Sequence, residues 1–158
     1  MTAKSPPSYE SYLKIPELTG IQAPLAEPSV HDEMQFIVVH QTYELWFKLL
    51  THEIQAMIAF LKKGNLPQSI WIIKRCNEIT RVLNQQILVM ETMSPASFLE
   101  FRNLLNPASG LQSYQFRCLE FMSGLKHERY LGLYEPGSIG HTALAKALIE
   151  PTIWDAFM

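Results

Sequence analysis

The sequence lacks a basic run, a long apolar run and a signal peptide, and each absence excludes a class of protein. Its 13 Lys and Arg residues are scattered, so the electrostatic footprint of a nucleic-acid-binding protein is missing. No apolar run approaches the roughly 18 residues of a membrane span. The N-terminal stretch MTAKSPPSYE contains no apolar core of a signal peptide. We therefore expect no nucleic-acid partner, no membrane partner and a cytoplasmic location.

Cysteine and histidine are also few, and their spacing does not suit a metal. Cys76 and Cys118 lie far apart in the sequence, so we expect reduced thiols. The five histidines never stand three or four residues apart, which is the spacing of a metal-binding pair on a helix. The sequence therefore predicts no structural metal site.

What is present is an apolar, aromatic-rich chain without β alternation. Its 158 residues are 47% hydrophobic and 18% charged, a composition typical of one domain with a sizeable core. Apolar residues recur at steps of three and four, the period of a helix packed on one side. We predict an all-α helical bundle over residues 1–158. It would comprise an arm and connector at 1–30, core helices at 31–130 and short helices at 131–158.

Capping and helix-breaking residues place the predicted helices. Asp32 and Glu33 favour a helix start, and Gly64 favours a helix end. Pro67 and Pro95 suit the first turn of a helix. The predicted helices cover residues 31–63, 67–93, 94–106, 112–126, 142–149 and 152–157, with a short helix or turn at 9–18 and an extended connector at 23–30.

The first long helix carries a histidine at the edge of a polar stripe. On a helical wheel the polar residues form a narrow line, so we expect the helix to be buried on most sides. The stripe comprises Gln41, Glu44, Lys48, Thr51 and Gln55. His40 lies at its boundary, with Phe36, Tyr43 and Phe47 nearby.

Spacing alone leaves two interpretations of His40. In the first it is a core-edge histidine satisfied by Glu44, which would also pair with Lys48 one turn further on. In the second it is a base or a hydrogen-bond acceptor in a pocket. The rings of Phe36 and Phe47 would then suit a planar aromatic substrate that carries an N–H group.

Arg102 is a second candidate, on the predicted third helix with Phe98 one turn before it. A planar guanidinium beside an aromatic wall can bind a carboxylate through two hydrogen bonds. Alternatively it forms an ion pair, for which the candidate partners are Glu91, Glu100 and Glu120. Ser109, in the following turn, is either an ordinary helix cap or a polar group near the same place. His40 and Arg102 together would hold an aromatic α-amino acid at its two ends.

Three strings in the sequence resemble the tryptophan 2,3-dioxygenase family. They are YESYLKIPELTGIQAPL from Tyr9, HDEMQFIVVHQTYELWFK from His31 and ETMSPASFLEFRNLLNPASGLQSYQFR from Glu91, and the resemblance extends over residues 9–130. It implies the N-terminal part of the haem-dependent tryptophan/indoleamine dioxygenase fold, haem b as cofactor and a homo-oligomer, tetramer or dimer. It also implies that O2 is added across the indole C2–C3 bond of L-tryptophan, or of a related aromatic amino acid, to give N-formylkynurenine.

The resemblance assigns roles to residues on these strings. The implied substrate-binding residues are His40, Phe36, Phe98 and Arg102, joined by Tyr9, Tyr12 and Leu13 from a neighbouring subunit. Ser109 and Gly110 are implied to lie at the haem edge. His40 would be the catalytic residue, facing the indole N–H without binding the iron, while Arg102 would bind the carboxylate. Haem would carry the O2 chemistry and the protein would orient the substrate.

The chain departs from the family pattern on the proximal side of the haem. In the family the iron ligand and a threonine that contacts the substrate ammonium lie further C-terminal. None of the five histidines aligns with that ligand. Beside the pocket, Gln35 replaces an apolar residue and Leu111 replaces an aromatic one.

Three interpretations follow from these departures. The chain is part of a dioxygenase, as a fragment or one half of a split enzyme. Alternatively it is a short paralogue that binds an aromatic amino acid or haem without catalysis. In the third, it is a divergent haem enzyme that uses His127 or His141 as ligand and acts on another aromatic substrate. The apolar end at 154–158 favours the first, in which the domain is incomplete relative to the family.

Overall fold

The computed structural model of the protein describes residues 6–158, which form helices and short 3-10 turns without a β-strand. The all-α prediction is confirmed. The α-helices are α1 (Tyr9–Leu13), α2 (Ile15–Thr19), α3 (His31–Lys62), α4 (Leu66–Met90), α5 (Pro95–Arg102), α6 (Tyr114–Met122), α7 (Ile139–Ile149) and α8 (Ile153–Phe157). The 3-10 turns are Asn103–Leu105, Gly110–Gln112 and Glu128–Leu133.

Helices α3 and α4 form a long antiparallel hairpin. Helix α3 begins with acidic residues in its first turn, where the positive end of the helix dipole stabilises them. It ends before Gly64, whose positive φ of 68° is the left-handed conformation that only glycine adopts without strain. The side chain of Asn65 then accepts a hydrogen bond from the Gln68 amide and caps α4. The tight turn returns the chain along α3.

The main core lies where the second half of α3 is covered by α4 and α6. Helix α8 also packs against α3. The buried members of this cluster are Leu50, Ile54, Met57, Ile72, Ile79, Leu119 and Met122. Burying each such side chain contributes roughly 1.5–3 kcal/mol to folding. This cluster fixes α3 as the element against which the other helices are positioned.

A second core holds α7 on the far side of α6. Its buried members are Cys118, Phe121, Leu144 and Ala147. Gly140, in the first turn of α7, lies so close to Tyr134 that an added Cβ would come within 2.8 Å of the tyrosine ring. Burial raises the pKa of the Cys118 thiol to about 11, so this thiol is neutral at physiological pH.

The first half of α3 corrects one expectation. Most of the helix is at least partly buried, as expected, but Met34, Val38 and Leu45 on one apolar face are 43%, 43% and 50% exposed. Helices α4, α6 and α8 cover the second half of α3, whereas the first half contacts α5 and the end of α4. The expected pair of Glu44 with Lys48 is wrong, since no ion pair joins them in the described part of the chain.

The polar Gln35 has a structural role at the end of the hairpin. Its side-chain amide donates hydrogen bonds to the Val89 carbonyl and, at 3.1 Å, to the Thr92 hydroxyl. The Val89 carbonyl also accepts hydrogen bonds from the Thr92 amide and hydroxyl, so Gln35 adds a side-chain bond to a carbonyl that the turn after α4 already satisfies. Gln35, which departs from the pattern that the resemblance implies, thus joins the start of α3 to the end of α4.

Within residues 6–158 we find no helix that combines the length and the apolar character of a membrane span. Large apolar side chains nevertheless remain exposed at the chain end, where Trp154, Phe157 and Met158 are 63%, 67% and 86% exposed. Both cysteines are free thiols, as predicted.

Candidate active site

A cleft of about 340 Å³ opens between the first half of α3 and the segment that joins α5 to α6. It brings together four residues that the sequence singled out from two distant strings: Phe36 and His40 on α3, and Ser109 and Gly110 on the joining segment. The remaining lining residues are Glu44, Leu105, Ala108, Gln112 and Ser113. The cleft is therefore largely apolar, with hydroxyl, amide and carboxylate groups at defined positions.

The joining segment is shaped by its own capping hydrogen bonds. The Ser109 hydroxyl accepts a hydrogen bond from the Leu111 amide, and the Gln112 side chain accepts one from the Ser109 amide at 2.9 Å. These reciprocal bonds make a capping box around the 3-10 turn. The Ser113 hydroxyl then accepts from the Phe116 amide and starts α6. The segment is thus an ordered wall, although Ser109 and Gly110 are exposed.

The imidazole of His40 is oriented by its own helix. Its Nδ1 lies 2.8 Å from the backbone carbonyl oxygen of Phe36, and a carbonyl can only accept a hydrogen bond. Nδ1 therefore carries the hydrogen, and in the neutral ring Nε2 is an acceptor. The partner expected in the core-edge interpretation is wrong, because the half-buried His40 bonds to the Phe36 carbonyl and not to Glu44.

Aromatic rings form a continuous row from His40 toward α5. The centroid of the Phe36 ring lies 4.1 Å from that of the His40 imidazole and 5.8 Å from that of the Phe98 ring, on which it stacks. The fully buried Phe101 supports both rings edge-on, at 5.5 and 5.4 Å. Phe47, which the sequence also placed beside His40, packs instead against Phe116 at 5.4 Å.

Arg102 ends this row on the surface. Its guanidinium carbon lies 6.0 Å from the centroid of the Phe98 ring, a cation–π distance. Its side chain is exposed, and no ion pair with Glu91, Glu100 or Glu120 forms in the described part of the chain. Glu120 pairs with Arg117 instead, at 2.6 Å. The ion-pair interpretation is therefore wrong, and the guanidinium is available to a carboxylate.

Glu44 is a cleft residue that sequence reasoning assigned only to pairing. Its Oε2 accepts a hydrogen bond from the Gln115 amide at 2.7 Å, and its backbone carbonyl accepts another from the same amide at 2.9 Å. Gln112 and Ser113 were also missed as lining residues. The spacing of Ser109 and Gln112 is that of a capping box, and this signal could have identified Gln112 as part of the same turn.

A buried polar cluster lies behind Glu44. Arg117 is 6% exposed, pairs with Glu120 and stacks its guanidinium 4.5 Å from the centroid of the Tyr130 ring. Burial raises the pKa of Tyr134, and the Arg117 charge partly opposes that rise. The phenol of Tyr134 stays protonated at neutral pH and can donate a hydrogen bond.

The remaining candidate residues lie away from the cleft. Tyr9, Tyr12 and Leu13 on α1 are 77%, 74% and 42% exposed and do not line it. His127 precedes the last 3-10 turn and stands 6.0 Å from the Tyr130 ring, while His141 lies on α7. Within residues 6–158 no three His, Cys, Asp or Glu side chains gather as ligands of a metal ion.

Comparison with known proteins places the chain in a family. The family model described as tryptophan 2,3-dioxygenase matches residues 1–137. A tryptophan 2,3-dioxygenase of Nocardioides sp. is 47% identical over 96% of this chain and 58% of its own length. Those of Anaeromyxobacter sp. and Xanthomonas euvesicatoria pv. vesicatoria are 43% and 39% identical over 96% of this chain, and 56% and 51% of their own lengths.

The chain spans about half the length of these curated relatives. The match nevertheless includes both strings that build the cleft, since the family model covers α3 and the whole joining segment. On this similarity the chain belongs to the tryptophan 2,3-dioxygenase family, a family of enzymes.

Proposed function

We propose that this chain supplies the substrate-side wall of a haem-dependent dioxygenase that opens the indole ring of L-tryptophan with O2 to give N-formylkynurenine. The observation that carries the proposal is the cleft, in which His40 and Phe36 on α3 face Ser109 and Gly110. The relatives named tryptophan 2,3-dioxygenase support the choice of substrate.

Arg102 would bind the carboxylate of the amino acid. The guanidinium is exposed and held beside Phe98, so two of its N–H groups can reach a carboxylate together. Phe98 in turn stacks on Phe36. An amino acid fixed at Arg102 would therefore lay its side chain along the aromatic row toward the cleft.

His40 would hold the indole N–H. Since Nδ1 donates to the Phe36 carbonyl, Nε2 offers a lone pair to a donor, and the indole nitrogen is a donor only. Two contacts at opposite ends of the substrate fix both its position and its rotation. This orientation is the contribution of these side chains to catalysis.

The cleft has the chemistry of a haem edge. Leu105 and Ala108 line it with apolar surface. The Ser109 hydroxyl, which accepts from Leu111, keeps its own hydrogen to donate to a propionate. Ser109 and Gly110 would hold this edge. When bound, haem supplies the iron centre that activates O2. The histidine that lines the cleft is His40, and we assign it to the substrate and not to the haem iron.

We also propose that the functional form is a homo-oligomer. Tyr9, Tyr12 and Leu13 are exposed and lie outside this chain's own cleft, so they are free to contribute to that of a neighbouring copy. The two free thiols are compatible with the cytoplasm, a reducing compartment.

The proposal is tested by adding haem to the purified chain and recording its absorption spectrum together with the mass of the assembly. L-Tryptophan is then titrated and product formation is followed under O2. We expect a shifted Soret band that responds to L-tryptophan, and loss of turnover in His40→Ala. The matched control is His52→Ala, an exposed histidine on the same helix. A chain that binds neither haem nor L-tryptophan would contradict the proposal.

A further inference from the structure

The two walls of the cleft belong to different parts of the sequence, and the side chain of Gln115 joins them. Its amide nitrogen donates to the backbone carbonyl of Glu44 at 2.9 Å and to the carboxylate of the same residue at 2.7 Å. The second bond has a charged acceptor, and such bonds are about twice as strong as neutral ones. Both bonds are partly buried and so are shielded from competing water.

Gln115 lies at the point where the joining segment becomes α6. Two residues earlier, Ser113 caps α6 and lines the cleft, and its amide donates to the Gly110 carbonyl at 3.2 Å. A shift of Gln115 would therefore move Ser109 and Gly110, because the Ser113 cap and the 3-10 turn Gly110–Gln112 connect them. On the other side of the contact, Glu44 lies one helical turn from His40, and both line the cleft.

A second glutamine makes a similar bond elsewhere on α3. The Gln86 amide, on α4, donates to the backbone carbonyl of Val39 at 2.9 Å. Like Gln115 it is half-buried and crosses between helices. Neither Gln86 nor Val39 lines the cleft. Gln86 therefore fastens two helices without touching either the joining segment or the carboxylate of Glu44.

We propose that Gln115 is a positioning residue, which sets the distance between the Ser109–Gly110 wall and the His40 wall through its two hydrogen bonds to Glu44. This inference rests on the proposed function for its effect on ligand binding. The positional effect itself does not depend on any ligand. Glu44 lines the largely apolar cleft, and its bond to Gln115 beside the cleft defines the width between the two walls.

The experiment compares Gln115→Leu with Gln86→Leu, which removes an interhelical bond of the same kind. Deuterium uptake of residues 105–113 is measured on the chain alone. The affinity of the haem-loaded chain for L-tryptophan is measured from its absorption change. We expect Gln115→Leu to speed uptake about tenfold and to weaken binding about tenfold. Gln86→Leu should change each by no more than about twofold.

A rescue arm separates positioning from general destabilisation. The swapped pair Glu44→Gln with Gln115→Glu restores a hydrogen bond between an amide and a carboxylate at the same two positions. Gln115→Glu alone places two carboxylates together. The swapped pair should recover part of the uptake and binding losses, and Gln115→Glu alone should not.

The inference and the proposed function fail in different ways. If wild-type protein does not respond to L-tryptophan, the proposed function fails, and deuterium uptake alone decides the role of Gln115. Equal uptake in Gln115→Leu and Gln86→Leu would overturn the inference, whatever the ligand result. Equal loss of affinity in the two variants of a responsive protein would overturn it as well.

Discussion

The two halves of α3 differ in how much of their surface is covered. In the second half Leu50, Ile54 and Met57 are 7%, 8% and 4% exposed, under α4, α6 and α8. In the first half Met34 and Val38 are each 43% exposed, although they are as apolar as their counterparts. One continuous helix therefore serves as a core element over its second half, while Phe36, His40 and Glu44 of its first half line the cleft.

This difference separates stability from recognition. The buried side chains of the second half, such as Ile54 and Met57, are fixed by packing on several sides and belong to the core. In the first half the fixed side chains are held by specific contacts instead, as His40 is by the Phe36 carbonyl and Glu44 by Gln115. A helix anchored at one end can present a preorganised wall at the other.

The largest expected difference comes from two methionines on α3. Met57→Ala should lower the free energy of unfolding by about 2–5 kcal/mol, because it leaves a cavity in the main core. Met34→Ala should change it by less than about 1 kcal/mol, since the side chain is already partly in water. Urea unfolding of both variants measures the difference. Equal destabilisation would show that the halves of α3 are packed alike.

Next in size is the effect of Arg102 on ligand binding. Arg102→Ala should weaken L-tryptophan binding by about 2 kcal/mol, or roughly 30-fold, because a charge-assisted contact to the carboxylate is lost. Arg81→Ala is the control, since Arg81 is an exposed arginine on α4 paired with Glu78. Titration calorimetry gives both affinities. Unchanged binding in Arg102→Ala would remove this residue from the site.

A smaller effect is expected at the ion pair of the covered half. Glu53 is 6% exposed and its carboxylate is 2.7 Å from the guanidinium of the more exposed Arg75. Arg75→Ala would leave that carboxylate without its partner and should cost about 1–2 kcal/mol in unfolding experiments. Arg81→Ala removes a fully surface pair and should cost less than about 0.5 kcal/mol. A reversed order would contradict the burial of Glu53.

The smallest effect concerns the cap of α8, which covers the second half of α3. Hydrogen bonds from the Thr152 amide and hydroxyl lower the pKa of Asp155 below its usual 3.8. Because the folded-state pKa is the lower one, the cap stabilises the fold above the usual pKa and is lost as pH falls through the lowered value. Unfolding midpoints at pH 5 and pH 3 should show this decline. Asp155→Asn should show a smaller decline over the same range.

The helices with strong local signals could be predicted from the sequence. From Gly64 and the acidic first turn, both ends of α3 were predicted to within one residue of their observed positions. The prediction of 112–126 for the fourth helix was too long at both ends. Its first residues are used by the capping box of Ser109 and Gln112, and its end is set by Gly124, with a positive φ of 106°.

The contacts that shape the cleft could not be predicted, because they depend on how distant segments meet. A helical wheel cannot tell whether His40 bonds to Glu44 or back to its own helix. It also cannot show that an apolar face at Met34 and Val38 remains uncovered. The bond from Gln115 to Glu44 joins residues 71 positions apart, and no local pattern marks it.

The most direct test of the cleft is whether His40 accepts the substrate N–H. Affinities of L-tryptophan and its indole N-methyl derivative, which lacks that hydrogen, are compared in wild type, His40→Ala and His52→Ala. Wild type and His52→Ala should prefer L-tryptophan about tenfold, the value of one buried hydrogen bond, and His40→Ala should bind the two alike. The same preference in all three proteins would contradict the assignment of His40 to the substrate.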